Sequence, residues 1–204
     1  MPTFYEFFAG GGMARAGLGE GWSCTFANDF SDMKGRVYSD NWGEDHLVVD
    51  DVARISANQL PDVADLAWAS FPCQDLSLAG NYAGIGHRAS KAKSRSGTFW
   101  PFWALMKRLA DEQRLPKIIA LENVYGVLRA NKGLDFKAIS SAFSGAGYRF
   151  GAMVIDAKHF VPQSRPRVFI IGVRRGVQID QEQLAAGPNP VWHPKALCEA
   201  FELL

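Results

Sequence analysis

Short apolar runs recur along this chain and alternate with helical patterns. Runs at 3–7, 23–27, 47–49, 66–70 and 118–121 have the length and composition of strands. Between them, 98–110 reads as a helix, because Phe99, Phe102, Leu105, Met106 and Leu109 fall on one face. Ser31 to Tyr38 reads as a second helix. Strands alternating with helices predict an α/β fold with a mostly parallel sheet and helices on both sides. Two later runs, Met153–Asp156 and Val168–Val173, flank His159–Pro166 and can pair as an antiparallel hairpin near the carboxyl end. Pro194 is placed to open a last helix. Leu197, Ala200, Phe201 and Leu204 then share a stripe that either docks on the chain's own core or forms a contact surface.

Composition changes this picture little. With 204 residues, 48% of them hydrophobic, the chain can bury one substantial core, so 1–204 is expected to be a single domain. A net charge of +1 gives no global field for a polyanion, so any nucleic acid must meet a local patch or be held with a partner's help. Cys24, Cys73 and Cys198 form no Cys-x-x-Cys pair and leave an odd one over, which argues against a metal site and for a reducing cytoplasm. With no signal-like amino terminus and no apolar stretch near twenty residues, a soluble protein away from membranes is expected.

The candidate chemistry sits at predicted strand ends, where open α/β sheets place their sites. Phe71-Pro72-Cys73-Gln74 puts a thiol on a turn directly after the run 66–70. It is either a nucleophile or a buried inert cysteine. Phe8-Ala9-Gly10-Gly11-Gly12, between a strand and a helix, is a loop that a nucleotide-type ligand can approach closely. Asp29, at the end of the next strand, is placed either to accept ribose hydroxyls or to cap the following helix. Asp51 and Val52 follow a third strand, where an acid can accept an adenine amino group. Glu122 ends a fourth, either as a solvated carboxylate or as a proton donor beside the cysteine. The segment from Asp75 to Gly97 carries Arg88, Lys91, Lys93 and Arg95 with no acid after Asp75, so it is either a solvated basic loop or a phosphate contact.

Taken in order, these pieces resemble the DNA cytosine-5 methyltransferase family over roughly residues 3 to 175. Phe8 to Gly12 is similar to its cofactor loop, Asn28-Asp29 to its ribose-binding acid and Asp51-Val52 to its adenine site. Pro72-Cys73-Gln74 resembles its nucleophile motif, Glu122-Asn123-Val124 its Glu-Asn-Val motif, and Gln163-Ser164-Arg165-Pro166-Arg167 its Gln-x-Arg-x-Arg motif. The resemblance implies a Rossmann-like, seven-stranded methyltransferase fold that binds S-adenosylmethionine. Phe8, Gly10, Gly12, Asp29, Asp51, Val52, Pro72 and Phe99 would then line the cofactor. Met13 departs from the family's usual further glycine. The chain also lacks a recognisable target-recognition domain and the returning Gly-Asn-Ser-type motif; Gly80-Asn81 lies too early to serve.

The implied chemistry explains the residue types. Carbon 5 of cytosine is a poor nucleophile until a thiolate adds to carbon 6, the role of Cys73. Arg165 and Arg167 would favour that thiolate, unless they are simply salt-bridged strand arginines. Glu122 would share a proton with cytosine N3, and the base must leave the duplex to be reached. The resemblance therefore points to a bacterial or phage-borne enzyme acting on DNA, either the larger part of a split enzyme whose second subunit supplies target recognition or a truncated form. Two other readings stay open at this point: a non-catalytic cofactor-binding module, and a methyltransferase acting on RNA.

Overall fold

The computed structural model describes residues 1–72, 98–184 and 187–204. Its centre is a seven-stranded sheet: β1 (Thr3–Phe7), β2 (Ser23–Asp29), β3 (Leu47–Val49), β4 (Leu66–Ala69), β5 (Ile118–Val124), β6 (Tyr148–Asp156) and β7 (Pro166–Arg174). The strand order is β3-β2-β1-β4-β5-β7-β6. The pairs among β1 to β5 are parallel, while β7 runs antiparallel to both β5 and β6. The expected α/β class and the antiparallel hairpin are therefore present. All strand ends that carry the sequence motifs lie at one edge of the sheet, because the register places Val124 opposite Arg167 and Asp156 opposite Pro166.

Among the described residues, five α-helices surround the sheet: α1 (Met13–Leu18), α2 (Asp32–Trp42), α3 (Phe99–Asp111), α4 (Leu134–Gly145) and α5 (Lys195–Phe201). The stripe predicted for 98–110 is the buried face of α3, with Phe99, Phe102, Leu105, Met106 and Leu109 all in the core. Ser31 caps α2 by accepting the Lys34 N–H at 3.5 Å, so the capping alternative for Asp29 is not the one adopted. The terminal helix docks on its own domain: Leu197 and Ala200 are buried, and Phe201 packs against Phe136 and stacks on Phe150. Leu204, expected on the same stripe, remains exposed.

Four strands are longer than the sequence reading gave, with β2 reaching Asp29 and β7 spanning Pro166–Arg174. β5 runs to Val124, so Glu122 and Asn123 are strand residues, and β6 begins at Tyr148. The reason is visible in β6, where Tyr148, Ala152 and Val154 alternate inward while Arg149 and Gly151 face out. Alternation interrupted by arginine and glycine is a weaker signal than a continuous apolar run.

The two faces of the sheet are covered unequally. One face holds Tyr5, Phe7, Phe26, Ile119, Leu121, Val168 and Ile170, joined in one core with side chains of α3, α4 and α5. On the other, α1 and α2 cover β1 to β3, through contacts such as Leu18 with Phe4 and Tyr38 with Ala27. Over β4, β5, β7 and β6 that second face carries Leu66 and Ala120, which are buried, and Trp68, Ile118, Phe169, Ile171, Val173, Met153 and Ile155, each only partly buried.

Candidate active site

The glycine loop is built for close backbone approach. Phe8, Gly10 and Gly12 have φ of 57°, 57° and 82°, in the left-handed region. Glycine is required at position 12 twice over, since a Cβ there would stand 2.1 Å from Trp42 Nε1. The Trp42 indole N–H donates to the Gly11 carbonyl at 3.0 Å, which ties the loop to α2. Ala9 N–H donates to the Asn28 carbonyl and Gly10 N–H to Asp29 Oδ2, both at 2.9 Å. Asp29 Oδ1 accepts the Ser31 N–H at 3.1 Å, and Lys34 Nζ lies 3.7 Å from Oδ2. Asp29, expected to face a ribose, is thus 2% exposed and braces the loop from behind.

Sequence reasoning missed Glu6. It sits in the middle of β1, fully buried, and its Oε1 accepts the backbone N–H of Ala14 (3.1 Å) and Arg15 (3.3 Å) at the start of α1. Its Oε2 is buried without a hydrogen-bond partner. Desolvation pushes its pKa up to about 7, against the pull of those two amides and of Arg15. The signal was available, as an acid inside the apolar run Thr3–Phe7 is unusual for a buried strand.

Asp51 Oδ1 accepts the Ala53 N–H at 2.9 Å and caps the short turn Val52–Arg54, leaving the carboxylate exposed at the tip of β3. Val52 is buried and borders an apolar cavity of about 250 Å³ lined also by Ile55, Pro101, Ala104 and Leu105. Phe99 presents no surface to solvent; it packs between Phe71 and Trp103, with ring centroids 5.4 and 5.7 Å away. Its visible role is to support the turn at Phe71-Pro72, where Pro72 is exposed. Asn123 holds the same turn, its Nδ2 donating to the Phe71 carbonyl at 3.0 Å. Cys73 and the basic segment that follows it lie outside the described residues.

At the tips of β5 and β7, Arg167 Nε lies 2.8 Å from Glu122 Oε1, with side chains 19% and 22% exposed. The register makes this pair directly: Glu122 stands opposite Phe169, one residue pair from Val124 and Arg167, on the same face. Of the two arginines expected near the thiolate, Arg167 is therefore the salt-bridged strand arginine. Arg165 precedes β7, is exposed, and donates its backbone N–H to Asp156 Oδ1 at 2.7 Å. The structure thus gathers Glu122, Asn123, Pro72 and Arg167 at one sheet end, with the glycine loop, Asp29 and Asp51 along the same edge. Among the described residues, no group of His, Cys, Asp and Glu side chains is placed to hold a metal ion.

The family model for C-5 cytosine-specific DNA methylases matches residues 2–196 of this chain. The chain belongs to this family. Curated relatives include the type II methyltransferase M.BsuFI of Bacillus subtilis, 30% identical over 92% of this chain and 43% of its own length. Another is M.NgoFVII of Neisseria gonorrhoeae, 33% identical over 88% of this chain and 46% of its own. Solved structures agree in fold. The Dnmt2 methyltransferase of S. pombe superposes with a TM-score of 0.71 at 19% identity, over 91% of this chain and 57% of that one. An E. coli prophage methyltransferase superposes with a TM-score of 0.67 at 20% identity, over 89% and 50%. The chain spans about half the length of the curated relatives it matches. No helix among the described residues is long and apolar enough to cross a membrane.

Proposed function

We propose that this chain is the catalytic and cofactor-binding part of an enzyme that methylates carbon 5 of cytosine in DNA. The observation that carries the reading is the Glu122–Arg167 pair at 2.8 Å, on strand tips that Asn123 ties to the turn leading into Cys73. A nucleoside cofactor fits the adjoining loop. A Cβ at Gly10 would meet nothing within 4 Å, so that part of the loop faces open space, while Gly12 is closed by Trp42. In this reading Phe8 and Gly10 would hold the cofactor's chain, with Gly12 and Asp29 fixing the loop from behind, Asp51 at the adenine end and Pro72 on the side toward the base. When bound there, S-adenosylmethionine supplies the methyl group that carbon 5 accepts.

The chain's own residues would do the rest. Cys73 adds as thiolate to carbon 6 and makes carbon 5 nucleophilic. Glu122, released from or sharing Arg167, meets cytosine N3 and offsets the charge that develops on the ring. Arg167 turns the carboxylate toward the base, and Arg165 stands ready for phosphate or for the thiolate. Loss of the carbon 5 proton then expels Cys73. The base reaches this site only out of the helix, at a cost of roughly a few kcal/mol.

A second polypeptide supplying target recognition belongs to the same proposal. What supports it is the sheet face over β4, β5, β7 and β6, which the described residues cover only in part, because sheets with parallel cores are ordinarily covered on both sides. Trapping on DNA carrying 5-fluorocytosine tests the catalytic reading. A covalent adduct is expected with the parent chain and none with Cys73→Ser, while calorimetry shows unchanged S-adenosylmethionine binding. An adduct with RNA alone would move the substrate to RNA. No adduct with either nucleic acid, from protein that binds cofactor, would leave the regulatory module as the better reading. Full sequence-specific methylation by the lone chain would remove the need for a partner.

A further inference from the structure

The reaction outlined above makes no use of the loop from Ala157 to Ser164. It joins β6 to β7 at the sheet end that holds Glu122, since Asp156 pairs with Pro166 and Arg167 with Val124. The loop is closely held. Asp156 Oδ1 accepts the backbone N–H of Lys158 at 3.1 Å and of Arg165 at 2.7 Å, and its Oδ2 accepts the Ser164 hydroxyl at 3.0 Å. Phe160 and Val161 both donate their N–H to the Ala157 carbonyl, at 2.8 and 2.9 Å. His159 packs edge-on against Trp192, with centroids 5.5 Å apart.

This braced loop nevertheless turns Phe160 and Val161 to solvent, 72% and 48% exposed. Lys158 and Arg165 flank them; Lys158 Nζ lies 3.7 Å from Asp156 Oδ2 with its side chain largely exposed, whereas Arg165 meets Asp156 through its backbone, so its guanidinium is not drawn into that carboxylate. A ring held out on a loop fixed by this many hydrogen bonds is preorganised, so little further ordering is needed when a partner meets it. An aromatic platform between two cations suits a nucleic-acid strand, in which every base offers a π-face and every linkage a negative charge.

We infer that the β6–β7 loop is a contact arm for the DNA strand carrying the target cytosine. Phe160 stacks on a nucleobase beside the target, and Lys158 and Arg165 take adjacent phosphates. The inference rests on the proposed action on DNA and adds to it a surface for the neighbours of the flipped base. Asp156 is the positioning residue of the arm; it touches no nucleotide itself.

Anisotropy of a fluorescein-labelled, cytosine-containing single-stranded oligodeoxynucleotide, titrated with the 204-residue chain, tests this. Phe160→Ala is expected to weaken binding about tenfold, the size of one lost base–aromatic stack, and Phe160→Trp to retain it. Phe160→Ala should leave Tm and S-adenosylmethionine affinity unchanged. Arg165→Ala should flatten the dependence of log K on log salt by about 0.7, one phosphate contact to a single strand, whereas Phe160→Ala leaves that slope alone. Binding by Phe160→Ala within twofold of the parent would overturn the arm. So would a loss that Trp does not restore, or a parent chain that binds no oligonucleotide. If Phe160→Ala binds like the parent while Cys73 still forms its adduct, the arm fails and the proposed function stands. If the arm binds as expected and no adduct forms, the reverse holds.

Discussion

The two faces of one sheet behave differently although the same strands build both. In β7, Val168 and Ile170 are wholly buried against α3, α4 and α5, whereas their neighbours Phe169, Ile171 and Val173 are partly open. Yet the strand reads Val-Phe-Ile-Ile-Gly-Val, apolar on both sides, like the run Ile-Ile-Ala-Leu of β5. Such near-continuous runs belong to strands buried on both faces. Among the described residues, the second face therefore has the composition of a core but only a partial cover. Its chemistry differs as well: Glu6, Glu122 and Arg167 all lie on it beside the Trp68–Phe169 pair, while most of the aromatic packing lies on the other.

Truncation at adjacent positions of β7 should separate the faces most clearly. Ile170→Ala is expected to cost about 2–5 kcal/mol, as for a fully buried aliphatic side chain. Ile171→Ala should cost less, roughly 1–2 kcal/mol in the lone chain, because part of its surface already meets water. Equal losses in thermal or urea unfolding would contradict the difference in cover. If a partner chain binds this face, the Ile171→Ala penalty should grow in the complex.

Glu6 marks the point where the second face is sealed by α1. Its pKa is raised in the fold, to about 7 from an ordinary 4.5. The protonated form is therefore favoured by folding. The associated stability is fully present below about pH 4.5 and is lost as pH rises through about 7, a change on the order of 3 kcal/mol. Glu6→Gln should flatten the stability profile across that window. An unchanged profile would mean that Oε2 is solvated and the seal is incomplete.

Glycine substitutions offer a smaller contrast. A Cβ at Gly172 would come within 2.3 Å of the Phe143 ring on the covered face, whereas one at Gly151 would meet nothing within 4 Å. Gly172→Ala should destabilise by about 1–3 kcal/mol through overpacking. Gly151→Ala should be neutral or stabilise by up to about 1 kcal/mol, since alanine costs less backbone entropy. Tm values of the two variants decide it, and a destabilised Gly151→Ala would place unexpected matter on the open face.

Much of the fold was legible because it depends on local pattern. Five parallel strands, the later hairpin and the α3 stripe follow from apolar runs of the right length and spacing. Motif order alone places Phe8–Gly12, Asp29, Asp51 and Glu122 at strand ends. Less legible were residues whose role depends on what stands across the sheet. Asn123 passed as part of a motif, yet it is the side chain that fastens the Phe71-Pro72 turn. Phe99 passed as a cofactor contact, yet it is enclosed by Phe71 and Trp103.

By itself the sequence determined which segments become strands and helices, and which reactive residues stand at their ends. Those features arise from periodicity and from turn residues a few positions apart. The tertiary structure decided that Asp29 braces the glycine loop, that Arg167 pairs with Glu122, and that one sheet face is left half open. These depend on register between strands distant in sequence and on which helices dock where. Periodicity records that a side chain is apolar, but burial is a property of the neighbour that covers it.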